Sequence, residues 1–422
     1  MPLARAQPAP ATTLSVPLGD APPPAIAPAH LPALDGLRGC AILAVILYHY
    51  LAKFGSTLPG LRELLGLVHS GWTGVDLFFV LSGFLITGIL HDTRTAPCFF
   101  RTFYARRTLR IFPLYYAILA TAFLILPHLP PTAALDTLRH HKLALFTYTS
   151  NLDMGLHESF FFNAPPLYLG HFWSLALEEQ FYLLWPAVIF FLPRKGALAA
   201  CLALITLAPA ARVALALHGH HQIGLYILPF CRADALATGA LAALLARTPG
   251  KPGLTRLHAL QRPAQFTLGL TAIPLLLLFA PARELQNDSP LVLTAGLTLL
   301  AFFFASVLLL ALAARPASLS SRLLTSLPLR TFGKYSYALY LFHLLLLPLY
   351  ERFFGVDLLR KPLHSYTLAG LVFTLLATAA SLVAAKLSWH LLESPCLALK
   401  RHFPYNAPPT TPLPSGATPE PV

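Results

Sequence analysis

Ten apolar stretches, each long enough to cross about 30 Å of hydrocarbon, follow one another along the 422-residue chain, at 34–51, 72–90, 109–127, 172–192, 197–217, 223–245, 265–280, 290–313, 332–349 and 365–391. A soluble domain has too little interior to hide so many apolar residues, whereas a bilayer solvates them without penalty. Composition agrees: 56% of residues are apolar, 11% are charged and the mean hydropathy is +0.63. The expected fold is all-α, a polytopic bundle of about ten transmembrane helices in the plasma (inner) membrane. Residues 1–30, rich in Ala and Pro, read as a disordered tail; 31–402 form one membrane domain; 403–422 read as a second, Pro- and Thr-rich tail.

The net charge of +13 would suggest nucleic acid in a soluble chain, but here it follows the membrane. If the first helix starts in the cytoplasm, 18 Lys and Arg fall in inner segments and eight in outer loops, with Arg38, Arg212, Arg232 and Lys386 inside helices. Both termini are therefore expected on the cytoplasmic side, and no nucleic-acid partner is needed. The five cysteines form no CxxC pair, so neither a zinc site nor a disulfide framework is indicated, and no metal is expected. The longest connection, 128–171, carries a short apolar stretch at 143–148 and reads as an amphipathic half-helix over the outer mouth.

Polar residues inside apolar helices carry the chemistry. Arg38 and His49 are eleven residues apart, which at about 100° per residue places them on one face, about 16 Å apart along the axis. An arginine near the cytoplasmic surface can bind an anionic cosubstrate, and a neutral histidine above it can take a proton from a hydroxyl. Snorkelling and a structural hydrogen bond are the plainer alternatives. Asp76 sits one turn into the second helix, where an acid needs a cavity or a partner; His49 is a partner by depth. Gly83 and Thr87 on the same helix favour close packing. Arg101, Arg106, Arg107 and Arg110 precede Pro113 and either mark the inner surface or clamp phosphates.

Ser174, Glu178 and Tyr182 recur at four-residue spacing beside Trp173, with Glu178 near the depth of His49, so the two can form an acid/base pair. Arg232 and Asp234 pair with each other or with other helices. Ser336, Tyr340 and His343 share a face of the ninth helix, and Glu393 near His390 reads as a lock at the end of the last one.

In order and spacing, these residues resemble the type-three acyltransferases. The resemblance runs from about Leu34 to Pro395 and rests on Arg38 with His49, GVDLFFVLSGFLIT from Gly74, RRTLRIFP from Arg106, WSLALEEQFY from Trp173, RADAL from Arg232, SYALYLFH from Ser336 and the ESP from Glu393. It implies transfer of an acyl group, most often acetyl, from cytosolic acyl-CoA (acetyl-CoA) to a hydroxyl of an extracytoplasmic sugar or glycolipid. Arg38 and His49 match the family's essential pair, with Glu178, Arg106, Arg107 and Arg110 as further matches. Some members continue into a fused esterase-like domain. Here the chain ends about thirty residues after the tenth helix, so transfer is expected within the membrane domain or with a separate partner.

The mechanism expected is that Arg38, Arg106, Arg107 and Arg110 hold the acyl-CoA phosphates while His49, assisted by Glu178 or Asp76, deprotonates the acceptor. Trp173, Ser174, Tyr182, Arg232, Asp234, Ser336, Tyr340 and His343 are the expected cavity lining. Direct transfer and an acyl-enzyme route both remain open, as does a rival transporter or flippase using the same buried charges.

Overall fold

The computed structural model describes residues 31–51, 61–128, 130, 132–165, 167–219, 222–248, 254–280 and 284–405, so the expected tails at 1–30 and beyond 405 lie outside the described residues. The described chain is almost wholly helical, as a backbone in hydrocarbon must be to pair its own N–H and C=O groups. Its long helices are α1 (Pro32–Leu51), α2 (Gly74–Asp92), α3 (Phe99–Ile125), α4 (Phe172–Phe191), α5 (Arg194–Leu217), α6 (Pro229–Leu245), α7 (Gln261–Phe279), α8 (Leu297–Ala313), α9 (Ser336–Leu345) and α10 (Tyr366–Ser388). Proline interrupts none of α3, α4, α5 and α7, which run through Pro113, Pro186, Pro209 and Pro274.

Among the described residues, eight helices are long and apolar enough to cross a membrane, or nine if α9 and the segment Leu347–Leu363, bent by 61° against it, form one broken span. The 20-residue α4 is outside that set; it carries Glu178, Glu179 and Gln180 in succession. Glu178 and Glu179 line a cavity, whereas Gln180 bonds to Tyr148 and Asn151 of the 128–171 connection. The protein is a multi-pass membrane protein.

Close backbone approach sets the packing. A methyl group on Gly83 would lie 1.9 Å from the Leu236 carbonyl oxygen, and one on Gly239 would lie 2.0 Å from that of Val80, so α2 and α6 touch backbone to backbone. The stretch after α8 forms short helices Leu319–Leu324 and Leu327–Lys334, the second of which takes up the start of the expected span at 332–349. Gly333 there lies so near α1 that a methyl group would sit 1.8 Å from the Asp35 carbonyl oxygen.

The 128–171 connection is more than a half-helix over the mouth. It folds into Ala133–His140, Lys142–Phe146, Ser150–Leu156 and a two-stranded turn pairing Asn163–Ala164 with Leu167–Tyr168. Leu145, Tyr148 and Met154 are buried in the main core. The carbonyls of Leu145 and Tyr148 accept hydrogen bonds from Tyr115 of α3 and Gln180 of α4, so the connection is fastened to both.

Candidate active site

Helices α1, α2, α3, α4 and α9 line a partly open cavity. Arg38 enters from α1, Arg107 and Arg110 from α3, Ser82 from α2, Ser174, Glu178, Glu179 and Tyr182 from α4, and Ser336 and Tyr340 from α9. Ser174, Glu178 and Tyr182 share the wall because a four-residue step returns each to one face. Glu178 accepts hydrogen bonds from Ser82 Oγ at 2.7 Å and Tyr182 Oη at 3.1 Å. The Arg107 guanidinium lies 4.8 Å from the centre of the Tyr182 ring, and Arg38 approaches Asp35 at 4.0 Å. Three guanidiniums facing two carboxylates leave the lining suited to an anionic guest.

The arginine motif is itself helical, since α3 begins at Phe99. Arg106 and Arg107 are thus about 100° apart around the axis and serve different surroundings. Arg106 donates to the carbonyls of Lys400 and Phe403 at 3.1 and 2.9 Å and lies 5.0 Å from the Tyr405 ring centre, away from the cavity lining.

His49 stands beyond the opposite end of this cavity. Its Nδ1 is 2.9 Å from the Val45 carbonyl oxygen and 3.3 Å from His343 Nε2, while His343 Nδ1 is 2.7 Å from the Tyr340 carbonyl oxygen. A carbonyl only accepts, so both Nδ1 atoms are assigned the proton; His343 Nε2 then accepts from His49, whose own Nε2 is the basic nitrogen. Tyr340 joins the two regions. Its hydroxyl donates to the His171 carbonyl at 3.0 Å and lies 2.6 Å from Ser174 Oγ on the cavity wall. From cavity to His49 the contacts therefore run through Ser174, Tyr340 and His343, with the His171 ring 5.1 Å from that of His343.

A family model described as an acyltransferase domain matches residues 31–385, most of the chain. This chain belongs to that acyltransferase family. It is 28% identical over 376 residues to the peptidoglycan O-acetyltransferase OatA of Listeria monocytogenes, over 87% of this chain and 56% of that protein. The putative peptidoglycan O-acetyltransferase YrhL of Bacillus subtilis is also 28% identical, over 87% of this chain and 55% of its own length. The O-acetyltransferase OatA of Staphylococcus aureus is 27% identical, over 87% and 57%. The chain thus spans little more than half the length of the curated relatives it matches. No solved structure matches it.

Elsewhere in this acyltransferase domain two pairs of buried opposite charges meet. Arg232 Nη2 is 2.9 Å from Asp76 Oδ1 with both side chains fully buried, and the guanidinium lies among the rings of Phe79, Trp173 and Tyr226. Asp234 instead meets Arg212 at 3.0 Å and accepts from Thr298 at 2.6 Å. Asp76 is thus Arg232's partner and Glu178 belongs to the arginine cavity; the imidazole beside His49 is His343. Glu393, buried, accepts from Ser388 at 3.0 Å in a π-helical turn at the end of α10.

Sequence reasoning missed Ser82 and Glu179 of the cavity wall, and two further participants. Arg212 was visible as a lone cation in an apolar helix, but nothing local pointed to Asp234, 22 residues away. His171 precedes the first turn of α4 and reads as a loop residue; only the folded chain buries it against Tyr340 and His343.

Proposed function

We propose that the protein transfers an acyl group, acetyl above all, from cytosolic acyl-CoA to a hydroxyl of an extracytoplasmic carbohydrate or glycolipid. The observation that carries this reading is the arginine cavity bounded by Ser174 and Tyr340, with the His343–His49 pair immediately behind them. In this reading the arginine end and both termini face the cytoplasm. Arg38, Arg107 and Arg110 neutralise phosphates of the donor, while the apolar wall of Val75, Phe78 and Phe79 accommodates its acyl arm.

At the other end His49 is the general base. Its Nε2 takes the hydroxyl proton, the oxygen forms the new C–O bond at the thioester carbonyl, the C–S bond breaks, and the proton passes to the departing thiolate. His343 holds the His49 ring and its tautomer. Glu178, kept in place by Ser82 and Tyr182, orders the arginine side, and the Asp76–Arg232 pair fastens α2 to α6. The names of the Listeria and Bacillus relatives, which mention peptidoglycan, support a carbohydrate acceptor. Nothing in the family assignment supports the transport alternative.

The test is release of free CoA from acetyl-CoA by the purified protein, with and without a carbohydrate acceptor. Acceptor-dependent release of CoA with matching ester formation is expected; acetyl-CoA left intact under all acceptors would overturn the reading. Orientation has its own test. Single cysteines placed at the exposed positions Arg101 and Leu156 should label from opposite faces of the membrane, and labelling from one face would defeat the assigned topology.

A further inference from the structure

Beyond α10 the helical backbone continues without a break through Trp389–Glu393, Ser394–Ala398 and a final turn, Leu399–His402, before the chain crosses the first turns of α3. That crossing is fastened at several points. Arg106 donates to the carbonyls of Lys400 and Phe403, and Thr102 Oγ donates to the Pro404 carbonyl at 3.3 Å. The Arg101 and Arg106 guanidiniums lie 5.8 and 5.0 Å from the ring centres of Phe403 and Tyr405. Lys400 contributes only its backbone to this strap.

Its ammonium is left over. It is half-buried and, among the described residues, forms no hydrogen bond or ion pair. The charges that bear on it are those of Arg110, Arg107 and Arg106, all of its own sign. The acids of this region face guanidiniums instead, Asp35 that of Arg38, Glu179 that of Arg107 and Glu393 that of Arg110. A cation held against like charges is costly, and a polyanion seated among them removes the cost. Arg107 and Arg110 line the cavity and Lys400 does not, so the ammonium stands beyond them, where the part of a guest farthest from its reacting end would rest. It also lies past residue 385, where the match to the family ends.

We propose that Lys400 is a donor-specificity residue: its ammonium takes the phosphate on the ribose of coenzyme A, while Arg38, Arg107 and Arg110 take the diphosphate. This rests on the acyl-CoA reading above and deepens it. With the thioester at the inner end, the ribose phosphate is the outermost of the donor's phosphates. A compact ammonium on a flexible stem suits that single phosphate, as guanidinium forks suit the paired ones. The helical run from α10 sets the place of Lys400, and Arg106 steadies the turn without itself meeting the donor.

Displacement of a labelled acyl-CoA analogue from the purified full chain gives the affinities of acetyl-CoA and of acetyl-dephospho-CoA, which lacks only the ribose phosphate. The parent is expected to prefer acetyl-CoA by about ten-fold or more, as one charge-assisted contact allows. Lys400→Gln should weaken acetyl-CoA by about that factor and leave acetyl-dephospho-CoA unchanged, which also reports a folded variant, and Lys400→Arg should restore most of the preference. Equal affinities in the parent, a preference unaltered in Lys400→Gln, or equal weakening of both donors would overturn the assignment. Failure of the parent to bind either donor would instead remove the acyl-CoA reading beneath it, a different result from a lost preference.

Discussion

The arginine cavity and the two clefts that His49 lines lie toward opposite ends of α1 and are built differently. The cavity is walled by residues inside long helices, and Glu178 is held there by two hydroxyl donors from two helices. The clefts are walled by helix ends and connecting segments, among them 284–288 and 351–358. A site made inside helices changes only if the bundle changes, whereas one made of connections can vary in shape while the bundle stays.

The deepest test of this division is His49→Gln, which keeps size and hydrogen bonding but cannot take a proton near neutral pH. Transfer should fall by about 10² to 10⁴ while acyl-CoA binding, measured by displacement of a labelled analogue, stays close to the parent's. Near-normal transfer by a stable variant would return His49 to a structural role.

Asp76→Asn strikes the frame on which both ends depend. It leaves the buried Arg232 without its countercharge, at a cost on the order of 3 kcal/mol, so the drop should appear in thermal stability in detergent. A stability unchanged by this substitution would mean that the pair carries no load and is free for chemistry.

Replacing Arg107 and Arg110 together by Ala sharpens the donor side. Loss of two charge-assisted contacts should weaken acyl-CoA binding by roughly 10²-fold and leave acceptor KM little changed; the reverse pattern would abolish the distinction between the ends. Arg38→Lys keeps charge but loses the planar fork, and about a ten-fold weakening is expected in the same binding assay.

The smallest effect belongs to Arg106→Ala. Because that guanidinium is engaged by the carbonyls of Lys400 and Phe403, its removal should shift acyl-CoA affinity by no more than about two-fold. An effect equal to that of Arg107 would place it with the phosphates after all.

By itself the sequence determined the solvent and the cast of this protein. Apolar runs of spanning length dictate helices in a bilayer, because no other open backbone satisfies its own hydrogen bonds there. Charged and hydroxyl side chains inside such runs are costly unless employed, so Arg38, His49, Asp76, Glu178, Arg232 and His343 stood out without any structure. The face shared by Ser174, Glu178 and Tyr182 followed from helical periodicity alone.

Only the tertiary structure decided who meets whom. Depth along a helix says how far a side chain lies from the membrane surface and nothing about rotation against its neighbours. His49 and Glu178, expected at one depth by counting along their helices, instead separated into cleft and cavity, and Asp76 went to Arg232. The glycine contacts at Gly83, Gly239 and Gly333 fix those rotations, since backbones can touch only where a side chain is missing. The two clefts at His49, drawn from segments distant in sequence, form only once α1, residues 284–288 and the helices after α9 have come together around one histidine.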